Sequence, residues 1–268
     1  MQSVIEQLTE RMSAVPGFDP STFDPTRYVQ SMQPEQIKRL LDHEAAYRHW
    51  RDTNQLQFFF PDDGPYRREL YPKHLSFFKA GADYSERSFM AGNQIGKTTA
   101  GGFECALHLT GQYPGWWEGR RFKKGITAWV AGDTYATTRD ILQHKLFGNV
   151  VNNGPTRGFD GTGMVPLDNI GKIVWHTGVP DLADTISVRW GKYGQSKITL
   201  KSYDQGRKVF QGKPVDFIWL DEEPGFDVYG ECLVRLITTK GSLILTFTPL
   251  KGLTETALAF TEGTVDEG

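Results

Sequence analysis

Cysteine is nearly absent, with only Cys105 and Cys232 among 268 residues. Two thiols exclude a disulfide framework and a four-cysteine zinc site. They suit a reducing compartment, where buried cysteine behaves as a small apolar residue. The six histidines show no metal-ligand spacing, so no zinc is expected. Long apolar runs are missing too, and none approaches the roughly 18 residues of a bilayer span. The opening MQSVIEQLTERM carries Glu6 and Glu10 where a secretory signal needs an apolar stretch. The chain is therefore expected to be neither membrane-bound nor secreted. Neither charge sign is in excess: 30 basic and 32 acidic residues leave −2 and a pI near 6.3. That excludes a polybasic nucleic-acid binder, whose pI exceeds about 9, but not a local basic surface. Gly (29) and Pro (14) are too few for low complexity, and 13% aromatics support a full core.

Residues 1–65 read as a helical accessory segment. MQSVIEQLTERMSA has the pattern of a short amphipathic helix, and a link with Pro16, Pro20 and Pro25 follows. Pro34 is tolerated at a first helical position, and Ile37, Leu40, Leu41 and Ala45 recur at helical steps. A helical arm packed on the main domain is the expectation. From about residue 70, apolar strands alternate with helices: SFMAG, a helix over 97–109, ITAWVAG, a helix over 137–146, then KIVWH, TISVRW, SKITLKSY and FIWLDEE, a helix over 228–238 and SLILTFTP. Residues 149–169, rich in Gly and Asn, read as a loop or insertion. Continuous apolar strands between helices predict an α/β domain over 66–268 with a mostly parallel sheet covered on both faces.

Three motifs carry chemistry. Ala91-Gly92-Asn93-Gln94-Ile95-Gly96-Lys97-Thr98 matches the phosphate-binding loop G-x-x-x-x-G-K-[ST] with Ala91 in place of the first Gly, between an apolar strand and a helix. Gly92 and Gly96 would let backbone N–H groups curl toward phosphate oxygens, with the positive end of the following helix behind them. Lys97 would reach the β- and γ-phosphates, and the Thr98 hydroxyl would ligate Mg²⁺. In Phe217-Ile218-Trp219-Leu220-Asp221-Glu222, two carboxylates leave the carboxyl end of a buried strand, where open α/β sheets place ligands. Asp221 would hold Mg²⁺ through water and Glu222 would activate the attacking water. A kinase gains nothing from that glutamate, so the pair favours hydrolysis. Glu223 would point away from Glu222 by strand alternation. In Leu245-Thr246-Phe247-Thr248-Pro249, the two threonines share a strand face and a hydroxyl there would sense the γ-phosphate. A β-branched strand closed by Pro explains the same residues. The cluster Arg120-Arg121-Phe122-Lys123-Lys124 fits either DNA phosphates or a solvated turn.

The ordered set AGNQIGKTTAGGFE, GQYPGWW, FQGKPVDFIWLDEEP and LTFTPLKG, within residues 70–255, resembles the ATPase domain of the large terminase subunit of tailed bacteriophages. The resemblance implies a P-loop NTPase fold that hydrolyses ATP with Mg²⁺ to drive double-stranded viral DNA into a preformed capsid. It implies ATP contacts from Gly92, Asn93, Gln94, Ile95, Gly96, Lys97, Thr98 and Thr99, metal ligation by Thr98 and Asp221, and catalysis by Glu222 with Lys97. Thr248-Pro249 takes the place of the family's coupling step, and Tyr71 to His74 that of its adenine contact. Portal protein and small terminase subunit are the implied partners, in a homo-oligomeric ring, in the host cytoplasm. Two departures stand out. Asn93 occupies the loop position where many members carry an arginine finger, leaving Arg139, Arg207, Arg235 or a neighbouring subunit as its source. Only residues 250–268 follow Pro249, so the family's C-terminal nuclease is expected to be absent. A helicase-like ATPase would need further nucleic-acid motifs that the sequence does not show.

Overall fold

The computed structural model describes residues 24–30, 32–153, 156–250, 252 and 254–261. The helix expected within residues 1–14 lies outside them. The chain divides into two compact units, 1–52 and 53–268. In the first, α1 is Pro25–Gln30 and α2 is Pro34–Asp52. Pro34 opens α2 as expected, and Glu44 accepts a 2.7 Å ion pair from Arg48 one turn on. The apolar positions of α2 are not uniformly covered, since Leu41 stays 44% exposed.

The second unit begins earlier than residue 66. Leu56 and Phe60 are buried in its core, so residues 53–65, grouped with the accessory segment from sequence, pack with it. Its elements are α3 (Pro72–Ala80), β1 (Glu86–Met90), α4 (Lys97–Thr110), β2 (Thr127–Gly132), α5 (Tyr135–Thr137) and α6 (His144–Phe147). Then come β3 (Val150–Asn153), β4 (Thr156–Phe159), β5 (Ile170–Trp175), β6 (Ala183–Trp190) and β7 (Gly194–Ser202). The last are β8 (Phe217–Asp221), α7 (Phe226–Leu236), β9 (Ser242–Phe247) and α8 (Glu255–Thr261). Two sequence readings change. The single helix expected over 137–146 is α5 and α6 joined by a π-helical stretch, Thr138–Gln143. The expected loop at 149–169 contains the antiparallel hairpin β3–β4; its alternation is too polar to show as a strand pattern.

Among the described residues, seven strands form one sheet in the order β1-β9-β8-β2-β7-β6-β5. The first five run parallel; β6 runs against them, and β5, antiparallel to β6, closes the far edge. Alternation along β8 fills both faces: Phe217 and Trp219 join one apolar cluster with Phe103 and Leu107 of α4, while Ile218 and Leu220 join the other with Val228 and Cys232 of α7. A strand buried on both sides must be apolar throughout, as FIWL is.

Gly101 and Gly102 lie inside α4, where glycine costs up to about 1 kcal/mol each relative to alanine. The Trp219 ring explains the first: a Cβ on Gly101 would lie 2.4 Å from its indole. Trp219 is fully buried and its Nε1–H donates to Thr246 Oγ1 at 2.8 Å, so the ring has little freedom to retreat. Gly101→Ala is therefore expected to destabilise by about 1–3 kcal/mol through overpacking, read as a lowered denaturant midpoint. An unchanged midpoint would show that Trp219 can shift freely.

A buried ionic network ties β1 to α4. Arg87 donates to Glu104 at 2.5 and 3.2 Å and to the Phe77 carbonyl at 2.7 Å. Glu104 also meets His108 Nε2 at 3.1 Å, and the Tyr113 hydroxyl lies 3.0 Å from His108 Nδ1. Burial lowers the His108 pKa below its usual 6.5, against the pull of Glu104. Burial alone would raise the Glu104 pKa, but Arg87 and His108 bring it below 4.5. In both cases the unfolded chain binds protons that the native site resists, so both groups favour the folded state more at higher pH. Stability is expected to begin falling as pH drops below 6.5, from His108, and to fall further below 4.5, from Glu104. Thermal melts of His108→Gln are expected to show a flatter slope between about pH 6.5 and 5. An unchanged slope would place that lability elsewhere.

Candidate active site

Topology brings three strand ends together. β9 lies between β1 and β8, with Thr246 opposite Phe89 on one side and Asp221 on the other. The loop after β1 therefore meets the residues leaving β8 and β9 at the carboxyl edge of the sheet, where open α/β sheets bind ligands.

The loop runs from Ala91 to Gly96 and feeds α4. Ala91 N–H still bonds the Phe247 carbonyl at 3.3 Å before the chain departs. The sequence assigned the tight turning to Gly92 and Gly96. Gly96 does take a left-handed φ of 87°, but its companion is Gln94 at φ 62°, while Gly92 is not among the positive-φ residues. A non-glycine residue there costs on the order of 1 kcal/mol, a cost the sequence pattern does not reveal. Ala100 N–H makes the first helical bond, to Gly96 O at 2.9 Å, so the amides of Lys97, Thr98 and Thr99 lie in the unpaired first turn. Asn93, Gln94 and Ile95 are exposed. Lys97 is buried, and its ammonium arches back to the Gly92 carbonyl at 2.7 Å.

Asp221 is the centre of the polar contacts. The Thr98 hydroxyl reaches its two carboxylate oxygens at 3.2 and 3.3 Å, and the Thr246 hydroxyl donates to Oδ1 at 2.5 Å. Burial raises the Asp221 pKa to about 6, and the charge of Glu222 adds to this against Thr246, Thr98 and Lys97. Hard oxygen donors on a carboxylate short of positive charge fit Mg²⁺, which is held through one or two carboxylates plus phosphate oxygens rather than by a protein cage. Among the described residues, no group of three or more His, Cys, Asp or Glu is placed to hold a metal. That is compatible with a site of this one-carboxylate kind.

Glu222 is exposed and takes a left-handed φ of 61°. Its N–H donates to Thr246 O at 2.8 Å. The hydroxyl of the half-buried Tyr203 lies 3.0 Å from Asp221 O, 3.1 Å from Glu222 O and 3.2 Å from Ala131 O. This places Tyr203 at the strained step as its support. β8 ends at Asp221, so strand alternation does not govern Glu222 and Glu223; the Glu223 carboxylate accepts from the Thr254 hydroxyl.

The two threonines of β9 and its exit separate. Thr246 is fully buried on Asp221, whereas Thr248, past the strand end, donates to Asn93 Oδ1 of the loop at 2.9 Å. They serve different neighbours instead of one shared surface. From Tyr71 to His74, the buried His74 ring abuts the loop backbone, with a Cβ on Gly96 only 3.2 Å from its Nε2. Tyr71 packs on Phe60 with ring centroids 5.6 Å apart. Of the three candidate finger arginines, Arg139 pairs with Asp140 at 2.6 Å, while Arg207 and Arg235 both pair with Glu231, at 2.9 and 3.0 Å. These contacts do not reach the loop or the Asp221-Glu222 step. Sequence reasoning missed the roles of Tyr203 and Trp219, which depend on long-range packing that no local motif encodes; it singled out His74 as part of the stretch matched to the adenine contact, but not its packing against Gly96.

This is a mixed α/β domain whose polar residues converge where its central parallel strands end. Residues 88–266 match the family model described as the terminase large subunit, T4-like-virus type, N-terminal, and the chain belongs to that family. The large terminase subunit of Salmonella phage P22 is 36% identical over 247 aligned residues, 84% of this chain and 46% of that protein. The chain thus spans about half the length of that relative. The large terminase of the thermophilic bacteriophage D6E aligns with a TM-score of 0.44 and 11% identity over 66% of this chain and 37% of its own. A structure of that protein in complex with ADP gives 0.39 and 9% over the same shares. Among the described residues, no helix is long and apolar enough to cross a membrane.

Proposed function

We propose that this domain binds ATP with Mg²⁺ and hydrolyses it to drive double-stranded viral DNA into a capsid. The observation that carries the reading is the convergence of Lys97, Thr98, Asp221 and Glu222 from two separate strand ends. Membership of the large terminase family supports DNA as the cargo, with portal protein and small terminase subunit as partners around a ring of copies. This reading implies the host cytoplasm as its setting.

The chemistry follows from the positions. Lys97 trades the Gly92 carbonyl for phosphate oxygens, and the first-turn amides of α4 face the same anion. Thr98 and Asp221 would hold Mg²⁺, which would supply positive charge against the phosphates. Glu222, exposed beside them, orients and deprotonates a water. Thr248 joins the β9 exit to Asn93, so a change in the loop on hydrolysis is passed to residues after Pro249. The missing arginine finger is assigned to a neighbouring copy, because Arg139, Arg207 and Arg235 are held by acids elsewhere.

The test is steady-state ATP hydrolysis with and without linear double-stranded DNA, beside Lys97→Ala and Glu222→Gln. The expected result is turnover stimulated by DNA, abolished in Lys97→Ala through lost nucleotide binding. Glu222→Gln is expected to lose about 10²–10⁴-fold in turnover while still binding ATP, the usual value of a general base. Normal turnover in Glu222→Gln would remove it from the reaction.

A further inference from the structure

We propose that the amino-terminal end of the sheet, opposite the Lys97–Asp221 site, carries a rim that grips the phosphate backbone of double-stranded DNA. The proposal rests on the reading of this domain as a DNA-packaging ATPase and names the face that touches the cargo.

Charge is segregated along the strand axis. Three of the five parallel strands leave the sheet into acids: Asp133 after β2, Asp204 after β7, and Asp221, Glu222 and Glu223 at the end of β8. Four of the five enter it from cations: Lys123 and Lys124 before β2, Lys192 before β7, Lys213 before β8 and Lys240 before β9, all five lysines exposed, whereas β1 is entered from Asp83. A chain with a net charge of −2 has no general excess to explain this.

The entry segments touch one another, so the cations form one edge. Gly125 lies against Gln195, where a Cβ would come within 2.0 Å of the Gln195 carbonyl. Lys197 N–H bonds Ile126 O at 2.8 Å, and Asp216 bonds Thr127 O and accepts Ser242 N–H at 2.8 and 3.0 Å. Arg120 closes the row by donating to the Lys240 carbonyl.

The acids at this end are mostly engaged. Asp216 Oδ2 accepts Thr127 N–H at 2.8 Å, Glu118 pairs with Lys79 at 2.7 Å, and Glu86 accepts the Tyr229 hydroxyl at 2.7 Å. Asp83 lies at the β1 side of the edge. Lys123, Lys124, Lys213 and Lys240 have no ion-pair partner among the described residues, and Lys192 lies 5.0 Å from the ring of Tyr193, which is 88% exposed at the β6–β7 hairpin tip. Lysines on several segments with a tyrosine hydroxyl among them suit sequence-independent phosphate contact, the kind a translocating protein needs. The acidic exit edge would repel the same backbone.

The experiment measures binding of the whole chain to a short fluorescein-labelled DNA duplex by anisotropy across salt concentrations. It compares wild type with Lys123→Glu/Lys124→Glu and Lys192→Glu/Lys213→Glu. Lys208→Glu, an exposed lysine outside the rim, shows what one charge reversal elsewhere does, half the charge change of either rim variant. The expected result is weaker binding in both rim variants, with the slope of log affinity against log salt reduced by about 0.9 for each phosphate no longer neutralised. DNA stimulation of ATP turnover falls while basal turnover stays at the wild-type value, which also reports an intact fold. Wild-type affinity in both rim variants, equal loss in Lys208→Glu, or equal affinity of the wild type for heparin would each overturn the proposal. Failure of the ATPase reading is separable: absent turnover with rim-dependent DNA binding would leave the rim standing.

Discussion

Asp221→Asn is expected to make the nucleotide-free chain more stable while removing its ability to turn over ATP. Asp221 is 6% exposed, and its carboxyl is raised from 3.8 to about 6 by burial and by Glu222. A folded-state pKa above the unfolded one means that the charged form is disfavoured in the native state, so its cost appears as pH rises from about 4 to 6 and persists above. About 2 pKa units correspond to roughly 3 kcal/mol, an upper bound on what removing the charge returns at neutral pH. Asparagine keeps an oxygen to accept from Thr98 or Thr246, so the packing survives. It gives up the carboxylate that would face Mg²⁺, whose charge stabilisation is worth several kcal/mol, or at least about 10²-fold in rate. Thermal unfolding at pH 7.5 without magnesium would show a raised midpoint, and ATPase assays would show the loss. A lowered midpoint would mean that Asp221 is a structural carboxylate.

Arg87→Met is expected to have the largest purely structural effect. It leaves Glu104, which is fully buried, with only His108 as a polar partner, and it deprives the Phe77 carbonyl of its donor. Breaking a buried pair from one side costs about 3–5 kcal/mol, because the remaining charge stays uncompensated. The double variant Arg87→Met/Glu104→Leu is expected to regain much of that loss, since an apolar pair of similar volume can replace a buried ion pair. Denaturant titration of both would read this out, and equal loss in the single and double variants would contradict it. Because Glu104 sits two turns into the helix that starts at Lys97, the same lesion would loosen the loop's anchor.

The residues proposed to carry the chemistry could be picked out in sequence because each occupies a fixed offset from a strand end: Lys97 and Thr98 after β1, Asp221 and Glu222 at the end of β8, Thr248 after β9. The central parallel strands were legible because burial on both faces demands unbroken apolar runs. The π-helical turn at 138–143 and the β3–β4 hairpin were not, since neither changes local hydrophobic periodicity in a way a window can register. The left-handed Gln94 and Glu222 were hidden because nothing in their side chains favours that backbone. Thr246 was visible as a threonine, yet its service to Asp221 depends on β9 sitting between β1 and β8, a strand order no local pattern encodes.

The most direct test of the central claim is to identify the nucleotide retained by purified Glu222→Gln after incubation with Mg²⁺ and ATP in the presence of DNA. The geometry predicts intact ATP held stoichiometrically, with Lys97→Ala retaining none. ADP recovered from Glu222→Gln at the wild-type rate would contradict the role given to Glu222, and ATP retained by Lys97→Ala would contradict that given to Lys97.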